Sequence, residues 1–151
     1  PVPFAEGASE SGELTLQTGS TAGTIRVRIA IGSRSAEEII RIAAAPVVLT
    51  QARAAVASAN AQVTLTGFDT ARTASRLSFT FYLKSGQPAS PGRIDVDVRN
   101  AFADYYRTVS GSVFSLRAHF PVSGTHTELD SVEVEMMNGA GVTTTGRLRF
   151  E

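Results

Sequence analysis

Few side chains in this sequence have a claim to chemistry. His119 and His126 are the only imidazoles, 7 residues apart. A histidine pair can ligate a metal or serve a serine nucleophile, but either role needs a third partner, and none is indicated by spacing. His119 alternates outward on an expected strand and His126 lies between Thr125 and Thr127 in an expected loop. Both are read as solvated or hydrogen-bonded side chains. Gly19-Ser20-Thr21-Ala22-Gly23 has the outline of a nucleophile elbow, yet it carries Thr at the centre and leads into a strand, so it fails on residue and on context. Asp95 and Asp97 share a strand face, where two carboxylates could bind calcium or act as an acid/base pair. The oxygen-rich loop and fixed-spacing glycine of a calcium loop are missing, and Arg93 and Arg99 flank the pair. A charge-balanced, solvated strand is the expected reading. Glu133 and Glu135 are read the same way, with Arg147 and Arg149 as cross-strand partners in the final hairpin; exposed pairs of this kind contribute ~0–1 kcal/mol each. No catalytic residue, metal-ligand set or cofactor is assigned, and an enzyme is not expected.

A second kind of candidate is aromatic. Phe102, Tyr105 and Tyr106, with Tyr82 elsewhere, could form a ring platform for a sugar. Carbohydrate-binding sandwiches favour Trp, and this chain has none. The alternative is that Phe102 and one Tyr cap the end of a β-sandwich. No Asn-x-Ser/Thr sequon is present.

Composition narrows the setting. In 151 residues, 14 Lys+Arg balance 14 Asp+Glu, which argues against a nucleic-acid binder or a polybasic membrane-surface protein. At 42% hydrophobic and 19% charged the chain can bury a core. No apolar run approaches the ~18–20 residues of a spanning helix. The absence of cysteine excludes disulfides, thiolate catalysis and cysteine-ligated metal centres. The chain opens Pro1-Val2-Pro3-Phe4 without Met or a signal-like segment, as expected of a processed chain or part of a longer one. A Thr-rich, cysteine-free chain with one Lys against thirteen Arg fits a secreted bacterial protein.

The elements that must position these residues are strands. Ile25, Val27, Ile29 and Ile31 alternate with Arg26 and Arg28, a period of two that sets one side-chain row on a core face. The same pattern runs through Leu77, Phe79, Phe81 and Leu83; Ile94, Val96 and Val98; Phe114, Leu116, Ala118 and Phe120; Val132, Val134 and Met136; and Leu148 and Phe150. Turn residues separate the runs. Gly32-Ser33-Arg34-Ser35 predicts a short hairpin ending at Ile39–Ile42. Ser85–Pro88 and Ser90–Gly92 bracket an edge-like crossing, and Ser123-Gly124 and Asn138–Gly141 predict two later hairpins. Ala52–Ala61, though alanine-rich, has no apolar stripe and is read with Val47–Thr50 as a long, bent strand. Asn100–Thr108 is read as one or two helical turns capped by Asn100, with Phe102, Tyr105 and Tyr106 at i, i+3 and i+4.

The predicted fold class is all-β: an Ig-like β-sandwich over residues 46–151, preceded by an incomplete Ig-like sheet over 1–45, with the boundary at Ala43-Ala44-Ala45-Pro46. About seven strand candidates follow that boundary. Before it stand about three, at Glu13–Gln17, Gly23–Ile31 and Glu37–Ile42, too few to cover their own apolar face. The missing half is expected upstream, on the second domain or on another copy of the chain.

Two stretches carry a family resemblance. Gly19-Ser20-Thr21-Ala22-Gly23-Thr24-Ile25-Arg26-Val27 followed by Ile39-Ile40-Arg41-Ile42 resembles the last strands of bacterial Ig-like repeats of the invasin type. Leu77–Tyr82, Phe114–Ala118, Phe120–Gly124 and Val132–Val134, in that order, are similar to a module found near the C-termini of large secreted acidobacterial proteins. The resemblance implies an extracellular, non-catalytic, tandem Ig-like architecture, and it brings no site residues with it.

The expected function is therefore a structural module of a bacterial surface stalk, adhesin or filament. Its expected partners are other copies of itself or neighbouring Ig-like domains. The segment Pro1–Gln17 is a candidate donated strand, inserting Phe4, Leu14 and Leu16 into a neighbour. The alternative is a carbohydrate- or surface-binding accessory module using Phe102, Tyr105 and Tyr106. No nucleic acid and no membrane span are expected.

Overall fold

A computed structural model of the chain describes residues 6–7, 15–57, 60–123 and 128–151. Strands make up 63% of it beside a single short helix, so the protein is all-β. The elements are β1 (Gly23–Ile31), β2 (Arg34–Ile42), β3 (Val48–Ala57), β4 (Asn60–Phe68), β5 (Arg76–Leu83), β6 (Pro88–Asp97), α1 (Arg99–Thr108), β7 (Val113–Pro121), β8 (Leu129–Asn138) and β9 (Gly141–Arg149). They form three antiparallel sheets: β1-β2, β3-β4-β7 and β6-β5-β8-β9. The last two are the layers of a seven-stranded sandwich of three-plus-four organisation.

The alternating runs explain the layers. Leu77 and Phe79 of β5 and Val132, Val134 and Met136 of β8 are buried from one sheet; Ala61, Val63 and Leu65 of β4 and Phe114 of β7 are buried from the other. Phe120 reaches across to Phe79 and Phe81, with ring centroids 4.7 and 5.0 Å away in edge-on geometry. Each fully buried large side chain contributes ~1.5–3 kcal/mol relative to exposure. β4 is the strand that the periodicity reading passes over, although it is the centre of its sheet. Ala52–Ala61 is split accordingly. β3 runs only to Ala57, with a register shift between Leu49 and Gln51 that bends it, and Ala61 already belongs to β4.

Three expectations change in detail. β7 and β8 lie in different sheets, so Ser123-Gly124 starts a crossover between layers and closes no hairpin; Gly124 itself is outside the described residues. Helix α1 begins at Arg99 with Val98 at the N-cap position and no side-chain cap bond, so Asn100 is not the cap. The carboxylate of Asp97 accepts the Arg99 N–H at 2.9 Å instead, because it projects from the end of β6 beside that free donor. Among the described residues the N-terminal sheet has two strands, where three are expected. Of the third candidate, Glu13 and Leu14 lie outside the described residues, and Thr15–Gln17 form no strand and are exposed.

Candidate functional site

Three features present themselves: the uncovered face of the β1-β2 hairpin, an open seam of the sandwich, and a buried polar cluster where hairpin and sandwich meet.

β1 and β2 pair in register with Ile25 opposite Ile40, Val27 opposite Glu38, Ile29 opposite Ala36 and Ile31 opposite Arg34. Directly opposed residues project to one side, so this face carries Ile25, Val27, Ile29, Ile31 and Ile40 together. Nothing among the described residues covers it: Ile29 is 53% and Ile31 63% exposed. The other face is mainly polar, with Arg26 paired to Glu37 at 3.0 Å, although Ile39 opposite Arg26 also lies on it. Leu16, from the candidate donated strand, is 54% exposed, while Phe4 and Leu14 lie outside the described residues.

The sandwich has two lateral seams. One is closed: the C-terminal end of the chain lies along β3, with Glu151 N–H donating to the Ala54 carbonyl at 3.1 Å and Val56 N–H to the Glu151 carbonyl. The other, between β6 and β7, is open among the described residues, and a cleft of about 570 Å³ lies there, walled by Phe81, Phe120, Ile94, Leu129 and Pro91. Its walls are chiefly apolar and suit an aliphatic or aromatic side chain.

The polar cluster is built around Asp69, fully buried just after β4. Its Oδ2 accepts the N–H groups of Thr73 and Ala74 at 2.7 and 2.8 Å, and its Oδ1 accepts Nδ2 of Asn138 at 2.8 Å. Asn138, at the end of β8, uses its whole amide. Nδ2 also donates to the Ala45 carbonyl at 2.8 Å, and Oδ1 accepts Ala140 and Gly141 N–H at 2.9 and 3.0 Å. The Ser112 carbonyl accepts Asp69 N–H at 2.9 Å and the Tyr106 hydroxyl at 3.0 Å. Buried polar groups demand such partners, since each one left unmet costs ~1–3 kcal/mol. The sequence reading missed Asp69 and Asn138. Asn138-Gly139 was legible as a turn, but the pairing of two side chains 69 residues apart has no local signature.

The aromatic candidates part company. Phe102 and Tyr106 are buried at 6% and 8%, packing α1 against Phe114, and only Tyr105 faces solvent, with its hydroxyl donating to the Val113 carbonyl at 3.1 Å. A three-ring sugar platform is not assembled by these side chains. The Tyr106 phenol is pushed up to about 12 by burial first, then by the charge of Asp69.

Asp95 and Glu135 on the outer face are paired. Arg93 bridges Asp95 at 2.9 Å and Glu135 at 2.6 Å and donates to the Ser78 hydroxyl at 2.8 Å. The Ser78 hydroxyl and the Arg93 guanidinium hold the Asp95 carboxyl below its usual value. Glu135 thus takes its partner from β6 rather than from β9. Arg147 stands opposite Glu133 in register, yet its guanidinium lies over the Tyr82 ring, 3.7 Å from the centroid. Asp97 stands 3.8 Å from Arg99. His119 is exposed on β7, His126 is outside the described residues, and Ser20 of the elbow-like stretch shares a hydrogen bond with Ser112. Among the described residues no group of three metal-ligating side chains occurs, and no helix is long and apolar enough to cross a membrane.

The fold is thus an all-β sandwich with an appended two-stranded sheet. No protein-family model, curated protein or solved structure matches the chain.

Proposed function

We propose that the chain is a non-catalytic structural module of a bacterial extracellular stalk, adhesin or filament, whose N-terminal sheet is completed by strands from a neighbouring Ig-like unit or another copy. The observation that carries this reading is the uncovered apolar face of β1-β2. A two-stranded sheet is marginal in water by itself, and a contiguous row of Ile and Val requires a second layer. The resemblance of Gly19–Val27 and Ile39–Ile42 to the last strands of invasin-type repeats supports the same reading and supplies its extracellular setting. In the strand-donating version, Pro1–Gln17 of one copy enters a neighbour, and the open β6/β7 seam offers an apolar cleft for its side chains. Such a head-to-tail contact propagates into a fibre.

The test is the assembly state by negative-stain imaging and light scattering. Filaments or higher oligomers that vanish on deletion of Pro1–Ser11 support strand donation; assembly unchanged by that deletion sinks it. Loss of assembly in Ile29→Ser/Ile31→Ser, with the sandwich still folded, assigns the contact to the hairpin face. A monomer throughout removes the self-assembling version and leaves completion by a neighbouring unit.

A further inference from the structure

We infer that the Asp69 end of the sandwich is a docking socket for the chain that precedes it, holding the β1-β2 sheet at one fixed angle. The inference goes beyond the structural reading and stands without it, because it concerns how two sheets of one chain are oriented rather than what they build.

Thr70 carries the argument. Its backbone carbonyl accepts the Ala22 N–H at 2.7 Å, immediately before β1, and its Oγ1 accepts the Ala45 N–H at 3.3 Å, soon after β2. Both feet of the hairpin therefore stand on one residue. A sheet tethered at one strand end swings about that tether, whereas attachment at both ends removes the swing. Two further contacts lock the feet. The Ser20 hydroxyl bonds the Ser112 hydroxyl at 2.7 Å, and the Ala45 carbonyl accepts Asn138 Nδ2 at 2.8 Å.

The socket is rigid because the buried side chains of Asp69 and Asn138 at its floor have all their polar atoms bonded. Thr70 follows Asp69, whose carboxylate is clamped by Thr73, Ala74 and Asn138. The Arg72 N–H closes the turn onto the Asp69 carbonyl at 3.1 Å. Asn138 has no spare capacity: undocking Ala45 leaves one of its amide hydrogens without a partner in a buried position, which opposes release. Shape agrees with bonding. Pro46 sits so close to the β8–β9 turn that a Cβ on Gly141 would meet its ring at 3.1 Å, at a backbone φ of +154°. The stretch Ala43–Pro46 has the composition of a plain linker, but Ala45 is bonded to the sandwich on both its N–H and its carbonyl.

The experiment uses the whole chain in solution. Residual dipolar couplings from β1-β2 amides and from sandwich amides are expected to fit a single alignment tensor. The Ala22 and Ala45 amides are expected to exchange about tenfold or more slowly than those of Ala43 and Ala44. In Thr70→Val, which keeps shape and backbone but removes the Oγ1 acceptor, Ala45 protection falls by about tenfold while β4 and β8 amides are unchanged. In Thr70→Val combined with Ser20→Ala, the hairpin couplings need a second tensor. Two tensors in the wild-type chain, or Ala22 and Ala45 exchanging as fast as Ala43, overturn the socket. These readings are taken at a concentration where light scattering gives one species. A rigid monomer therefore retains the socket while removing self-assembly, and a hinged oligomer does the reverse.

Discussion

Tyr106 shows most directly how a single residue couples position to stability. Its ring closes the sandwich end beside Phe102, and its hydroxyl is bonded to the Ser112 carbonyl. Burial raises its pKa from 10.0 to about 12. The unfolded chain therefore loses the phenolic proton first, and ionisation favours unfolding. The stabilising contribution is complete below about pH 10 and disappears as pH rises through 12. Urea titrations from pH 8 to 12 are expected to show falling stability beginning near pH 10, a component that Tyr106→Phe removes. An identical alkaline decline in Tyr106→Phe would place the titrating group elsewhere. The charged outer face behaves differently. Arg93 holds Asp95 and Glu135 at the surface, where water screens the pairs, and its role is to hold β5, β6 and β8 in register.

Among the elements, β4 has the tightest constraint. Gly67 passes so close to β3 that a methyl group there would collide with the Val48 carbonyl, at the same end of the pair where Leu49/Gln51 shifts register. Backbone cannot yield as a flexible side chain can, so Gly67→Ala is expected to cost roughly 2–3 kcal/mol, read as a lowered urea midpoint with unchanged m-value. A midpoint within error of wild type would show that β3 relaxes away without cost. Helix α1 shows the limits of cap rules. Asn100 has the right residue type for a cap, but the cap position falls two residues earlier, at Val98, set by where β6 ends, and Asp97 meets the donor from outside the helix. The alternation of β1 was legible in full, because Ile25 to Ile31 repeat every second residue without interruption.

At the scale of the whole molecule there is one continuous core in the sandwich and one apolar face outside it. Phe79→Ala, at the centre of the core, is expected to destabilise by ~3–5 kcal/mol. Ile29→Thr/Ile31→Thr, on the hairpin face, is expected to shift the main unfolding transition by less than about 0.5 kcal/mol. Equal losses from the two variants would mean that the hairpin face is covered. What the sequence determined by itself follows from local rules. Side-chain alternation fixes which face of each strand is apolar, and turn residues such as Gly32 and Asn138-Gly139 fix where strands reverse, so the all-β class and most strand positions could be read directly. Which strands share a sheet, that β7 and β8 part into different layers, and that Asp69, Thr70, Ser112 and Asn138 meet under Ala45 were decided only by the tertiary structure. Those pairings are made between residues far apart in the chain, and their energy comes from burying polar groups with their partners, which no window of neighbouring residues contains.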